Sequence, residues 1–235
     1  MRKGGHTIAK TDPRELAAYN LAEVSHYVRV PVATLRYWVL GREASAGSNG
    51  YKPVISPAEK DPVILSFVNL VEVHVLSAIR RQHQVPLPEV RKALNYVKQH
   101  FPSPHPLADQ VFETDGLSLF VEKYGQLINA SKEGQLAMRE VLEAHLHRIE
   151  RDPSGAPRKL FLFTRMARTD EPKTVVVDPF VSFGRPILAG TSIPTIAVAE
   201  RYKAGETIES LALDYECSSI QIEEAIRCEF ELRAA

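Results

Sequence analysis

The sequence predicts a mainly α chain with minor β. It places a winged helix-turn-helix domain first, a small α+β middle region next, and a C-terminal helical domain of helix-turn-helix type last. Three observations carry this. Apolar residues recur at helix spacing in two short adjacent stretches near the N-terminus and again near the C-terminus. The run Phe101-Pro-Ser-Pro-His-Pro106 breaks the chain between them. The charges also divide: residues 1–100 hold 14 Lys/Arg against 8 Asp/Glu, and the remainder 15 against 21. A basic N-terminal half and an acidic C-terminal half are expected to meet different partners, the first a polyanion. A charge of that size also occurs in many soluble domains with no such partner.

Residues 1–18 are expected to form a flexible leader. Leu21, Val24 and Val28 then lie on one helix face. Pro31 opens a second helix, whose apolar positions are Val32, Leu35 and Val39, and Gly41 closes it. Gly47-Ser-Asn-Gly50 is a turn signal ahead of an extended Tyr51 to Ile55. Asp61-Pro62 reads as a helix start, with a cap followed by proline at the first helical position, although the β-branched residues after it also fit a strand. A further helix is expected from Pro88 to Gln99. Residues 110–122 read as a hairpin, because Asp115-Gly116 is a strong tight-turn signal between apolar runs. Glu133 to Ile149 reads as an amphipathic helix, while Lys159 to Met166 and Thr174 to Val177 read as strands. Helices are expected at Pro194 to Ala204, Thr207 to Tyr215 and Ser218 to Leu232. These elements divide the chain into 19–100, 101–172 and 173–235.

Composition excludes several classes. An apolar share of 44% and a charged share of 25% are those of a globular chain. Two cysteines are too few for a disulfide scaffold and fit a reducing cytoplasm. The most apolar stretch, Val63 to Leu76, is interrupted by Ser66, Asn69, Glu72 and His74 and falls short of the ~18 clean residues of a membrane span. Met1 to Asn20 has no secretory apolar core. We therefore expect a cytoplasmic protein.

The pair 21–28 and 31–40, joined by Arg29-Val30, has helix-turn-helix spacing, and the second helix of that motif enters the major groove. Thr34 suits a base edge or thymine methyl, Arg36 and Tyr37 suit phosphate oxygens, and Arg29 and Arg42 flank the helix. Lys52, at the tip of a wing, reaches the backbone. The same spacing also fits a generic αα-hairpin with Arg36 solvated.

Leu21-Ala-Glu-Val24 with Val30-Pro-Val-Ala-Thr-Leu-Arg-Tyr-Trp38 resembles the first helix-turn-helix of the MerR superfamily, and Gly50-Tyr-Lys52 resembles its wing. Ala78 to Arg81 followed by Leu87 to Leu94 resembles its second helical pair. By that resemblance Thr34 faces the groove, and Arg36, Tyr37 and Lys52 hold phosphates. Two departures stand out: the insert Ile55 to Ser66 is longer than usual, and no long dimerisation helix follows directly.

The C-terminal pair is a poor DNA reader, because residues 205–235 hold 2 basic and 8 acidic side chains that phosphates repel. Protein contact or a small structural bundle fits better. Asp178-Pro179, Ser182-Phe-Gly-Arg-Pro-Ile187, Gly190-Thr-Ser-Ile-Pro194 and Ala204 to Ala212 resemble a small domain long described as of unknown function and now grouped with VapB-type antitoxins. What the resemblance implies is a partner, a PIN-like, Mg²⁺-dependent ribonuclease toxin. Arg227 and Arg233 are candidates to pair with that toxin's carboxylates.

No phosphate loop, zinc motif or nucleophile elbow is present, so no cofactor, metal or catalytic residue is expected. Cys217 and Cys228 read as core thiols, and His145 and His147 lie on a polar helix where residues two apart face apart, so no joint metal site is expected. The leading expectation is a non-enzymatic, homodimeric antitoxin that binds operator DNA. The competing ones are a MerR-like transcriptional regulator with a small-molecule-binding C-terminal domain, and a structural adaptor without a DNA role.

Overall fold

The computed structural model describes residues 12–42, 50–83, 87–165 and 172–230. Their elements run β1 (Tyr19–Asn20), α1 (Leu21–Val28), α2 (Val32–Leu40), β2 (Glu59–Lys60), β3 (Val63–Leu65), α3 (Phe67–His83) and α4 (Leu87–His100). A π-turn at Phe112–Gly116 leads into α5 (Leu117–Ile128) and then α6 (Lys132–Leu146). After these come β4 (Ile149–Arg151), β5 (Pro157–Phe161), β6 (Val175–Val177) and β7 (Ile187–Leu188), then α7 (Thr195–Lys203), α8 (Ile208–Asp214) and α9 (Ser219–Phe230). The fold is mainly helical, with two small antiparallel sheets of order β1-β3-β2 and β4-β5-β6-β7.

Helix α3 is the central strut. Its residues from Phe67 to Ile79 are buried almost without a break, including Ser66 before it and Asn69, Glu72, His74 and Ser77 within it. A helix that is buried all round reads as an unbroken apolar run with embedded polar residues. Each of those must then be satisfied internally. Asn69 donates to Glu72 (3.2 Å) and to the Ser56 carbonyl (2.9 Å), and His74 Nε2 lies 3.0 Å from the His145 carbonyl. One apolar core runs from Tyr19 to Val177 across the proline-rich break and includes Cys228 of α9. Leu188, Val198, Leu211, Ile222 and Ala225 form a second, smaller one.

Two expectations are corrected here. Asp61-Pro62 is not a helix start but the turn between β2 and β3, whose residues Glu59 and Lys60 pair with Ile64 and Val63. The β-branched Val63-Ile64 prefers this extended pairing. The helix begins later, where Ser66 Oγ accepts from the Asn69 N–H (3.2 Å). Residues 110–122 form a helix, not a hairpin. Gly116 has φ −68 and is buried, and a Cβ there would sit 3.3 Å from both Val97 of α4 and Phe112. Glycine serves close helix packing at this position, not a turn. Inside, Phe112 meets Phe120 edge-on, and Phe120 stacks on Tyr124. His145 is buried, with its ring 4.9 Å from that of His74, so α6 turns this residue inward while Leu136 is exposed.

Residues 12–18 are tied to this body. Arg14 pairs with Asp12 and with Asp152 (both 2.6 Å), and the Ala18 N–H bonds to the Leu65 carbonyl. Nearby, His105 Nδ1 lies 3.0 Å from the buried Glu72 carboxylate, with Glu15 3.6 Å from Nε2. Its hydrogen bond to Glu72 raises the His105 pKa, outweighing burial and the neighbouring Lys98. A histidine whose folded pKa is raised contributes stability fully below its unfolded value of about 6.5 and loses it as pH rises through the folded value. Thermal unfolding is therefore expected to show stability falling as pH rises from ~6.5, and His105→Gln is expected to flatten that fall. Equal pH slopes in both proteins would contradict the assignment.

Candidate nucleic-acid interface

Asn20 caps α1 with a complete capping box. Its side chain accepts from the N–H groups of Ala22 and Glu23, and Glu23 accepts from the Asn20 N–H (2.9 Å). Arg29 ends the helix in the left-handed region (φ 55), Val30 is buried, and Pro31 opens α2. Helix α2 buries Leu35, Trp38 and Val39 and exposes Val32, Ala33, Arg36, Tyr37 and Leu40. The pair α1–α2 is thus a helix-turn-helix with an outward face on its second helix.

The chain after α2 is fixed by backbone contact. Arg42 and Tyr51 exchange two hydrogen bonds (2.9 and 2.8 Å), and the Trp38 carbonyl accepts from Val54 and Ile55. Gly41 makes this approach possible. Its φ 73 and ψ −153 belong to a region that is essentially glycine's, and a Cβ would lie 2.3 Å from the Tyr51 carbonyl oxygen. Gly41→Ala is expected to cost about 1–3 kcal/mol and to displace Tyr51 and Lys52. A thermal melt checks the first effect and a DNA titration the second.

The sequence-predicted residues separate into three groups. Arg36, Tyr37, Arg42 and Lys52 are exposed, the first two on α2 and the others at the Arg42–Tyr51 bridge that follows it. Thr34 lies on the same helix but is half-buried. Arg29 points elsewhere, and its guanidinium donates to the Thr164 carbonyl, joining the α1–α2 turn to the body.

The pairing state of the arginines marks the α2 face further. Among the arginines whose side chains are described, only Arg36, Arg42 and Arg91 make neither an ion pair nor a side-chain hydrogen bond, and all three lie in residues 36–91. The others bond to carboxylates, carbonyls or a hydroxyl, for example Arg151 to Glu113 (2.8 Å), Arg158 to Asp178 (2.8 Å) and Arg148 to Leu162 (2.7 Å). Unneutralised cations beside an exposed helix can take phosphate.

The C-terminal candidates fare differently. Arg227 lies 3.9 Å from Glu223 and 3.6 Å from the buried Glu224, and Arg233 lies outside the described residues. Glu224 also accepts from Thr164 and Arg165. Sequence reasoning missed two outward apolar residues, Phe183 (95% exposed) and Leu213 (83%). Leu213 could be found from its position, since it falls off the face set by Ile208, Leu211 and Ala212. Phe183 carries no such signal. Ser182, Phe183 and Gly184 all have positive φ, and the loop is held by Tyr19 Oη donating to the Gly184 carbonyl (3.0 Å). Burial pushes the Cys228 thiol up to about 12, and Cys217 is half-buried. Among the described residues no group of three metal-binding side chains converges, and no helix is long and apolar enough to cross a membrane.

Comparison with known proteins places these features. Residues 17–94 match the family described as “Putative DNA-binding HTH domain”, and residues 175–227 match “Protein of unknown function (DUF433)”. A Mycobacterium tuberculosis protein named “Putative antitoxin VapB45” is 30% identical over 231 residues, covering 90% of this chain and 93% of its own. “Uncharacterized protein Rv2308” of the same organism is 26% identical over 222 residues, covering 91% and 89%. The crystal structure of Rv2018 from Mycobacterium tuberculosis has a TM-score of 0.64 at 24% identity, covering 90% of this chain and 98% of that one, a likeness of fold. By the extent of the first of these matches, the chain belongs to the family of the protein named “Putative antitoxin VapB45”.

Proposed function

We propose that the chain is a non-enzymatic, cytoplasmic antitoxin of a type II toxin–antitoxin pair. Its α1–α2 unit binds operator DNA and represses the chain's own transcription. Its C-terminal region binds and neutralises a PIN-like ribonuclease toxin. The observation that carries the DNA half is the set of unpaired cations beside the exposed face of α2, in a chain whose other described arginines are engaged. In this reading α2 lies in the major groove in the manner of a MerR-like winged domain. Thr34 meets a base edge, and Arg36, Tyr37, Arg42 and Lys52 hold the backbone, while Arg29 contributes by fixing the turn. Two recognition helices spaced one duplex turn (~34 Å) gain affinity together, so the repressing species is a homodimer.

The toxin half rests on the family and on the exposed Phe183 and Leu213, which offer apolar anchors on an otherwise acidic tail. Arg227 and Arg233 pair with the toxin's metal-binding carboxylates, Arg227 exchanging its partners on α9 for them. A reporter fused to the chain's own upstream region tests the DNA half. Expression of the protein lowers reporter output, and Arg36→Ala restores it. Unchanged output with the wild type would refute autoregulation. Full neutralisation by the Arg227→Ala and Arg233→Ala variants would remove those two residues from the toxin contact.

A further inference from the structure

Helix α4 places a cation at the edge of the α1–α2 unit. Arg91 lies over the Tyr51 ring, 4.9 Å from its centroid, so the second helical pair touches the segment that carries Lys52. Its Nε and Nη2 are sealed from solvent and have no hydrogen-bond partner, which leaves Nη1 as the open end of the guanidinium. Among the described residues no carboxylate pairs with it, whereas the adjacent Lys92 is neutralised by Glu89 (3.0 Å). Burial of this unpaired charge pulls its pKa down. A desolvated cation without a counterion is costly to keep. Its contact with the Tyr51 ring holds it against the segment that pairs with Arg42 and carries Lys52.

We infer that Arg91 is a phosphate-binding residue, positioned by Tyr51, which extends the DNA contact from α2 across the Arg42–Tyr51 bridge to α4. The inference rests on the DNA-binding reading above and adds to it a contact from the second helical pair. The duplex backbone supplies the missing anion, and Arg91 adds affinity without reading sequence.

The test is fluorescence anisotropy with a labelled duplex of the chain's own upstream region, titrated between about 50 and 200 mM salt. Arg91→Gln is expected to weaken binding about ten-fold and to lower the slope of log K against log salt by about 1. Arg91→Lys is expected to keep the slope but bind more weakly than wild type, because an ammonium lacks the planar stack. If Arg91→Gln proves misfolded by circular dichroism, Tyr51→Leu replaces it, with a weakened affinity expected. Wild-type affinity and slope in the folded Arg91→Gln or Tyr51→Leu protein, alongside weakened Arg36→Ala, would overturn the role of Arg91 and leave the DNA-binding reading standing. A wild-type protein without salt-dependent binding would overturn both.

Discussion

Replacing Arg36 and Arg42 together with alanine is expected to weaken DNA binding about 100-fold near physiological salt and to reduce the salt slope by about 2, since each phosphate contact releases close to one counterion. Both side chains are exposed and make no ion pair among the described residues, so their removal costs the fold little. Surface substitutions of this kind stay within about 0.5 kcal/mol, and the melting temperature should hardly move. That separation makes the variant informative: affinity falls while stability does not. Anisotropy and a thermal melt on the same preparation check it. An unchanged slope would mean that these cations face solvent and not phosphate.

The second large effect concerns stability. Glu224 on α9 is fully buried, and its carboxylate accepts from Thr164 and Arg165 with Arg227 3.6 Å away. The Thr164 carbonyl takes Arg29 from the α1–α2 turn. One carboxylate thus gathers α9, the segment after β5 and, through Thr164, the helix-turn-helix. Breaking a buried pair leaves the remaining charges uncompensated and costs about 3 kcal/mol or more. Glu224→Ala is expected to lower the melting temperature by about 10 °C at this chain length, and Glu224→Gln, which keeps an acceptor for Thr164, by clearly less. A shift under about 2 °C in the alanine variant would mean that the cluster carries little of the stability.

Much of the helical framework was legible in the sequence because its signals are local. The apolar spacing through Leu35 and Val39, and Gly41 where α2 ends, act within a few residues. The same is true of Thr207, which caps α8 by accepting from the Ser210 N–H (3.2 Å), and of Ser218 with Gln221 at the start of α9. The misreadings arise where a local signal was outvoted by packing. Asp115-Gly116 has the composition of a tight turn, but Gly116 packs against Val97 of α4 with room for little more than a hydrogen, and tertiary contact decides it. Asp61-Pro62 has the composition of a helix start, but Val63 to Leu65 gain more by pairing on both sides in a sheet.

The site shows the same division. Arg36 could be named from sequence because its exposure on α2 follows from helix period, and Arg42 and Lys52 because they flank that helix and the turn signal after it. The bond from Arg29 to Thr164 was not legible, since that partner is 135 residues away and nothing local marks it. Arg91 was equally hidden: it sits on an ordinary amphipathic helix, and its stack on Tyr51 spans two elements far apart in the chain. Phe183 is exposed by three consecutive positive-φ residues, two of them not glycine, a conformation that composition does not predict.

The proposed function requires this chain to capture a nuclease partner. Co-expression of the tagged protein with the product of its neighbouring gene, followed by size exclusion and a ribonuclease assay, tests it directly. One co-eluting species is expected, in which the neighbour's ribonuclease activity is suppressed and returns when the two are separated. Two folded proteins that elute apart, with the neighbour's activity unaffected by this chain, would contradict it.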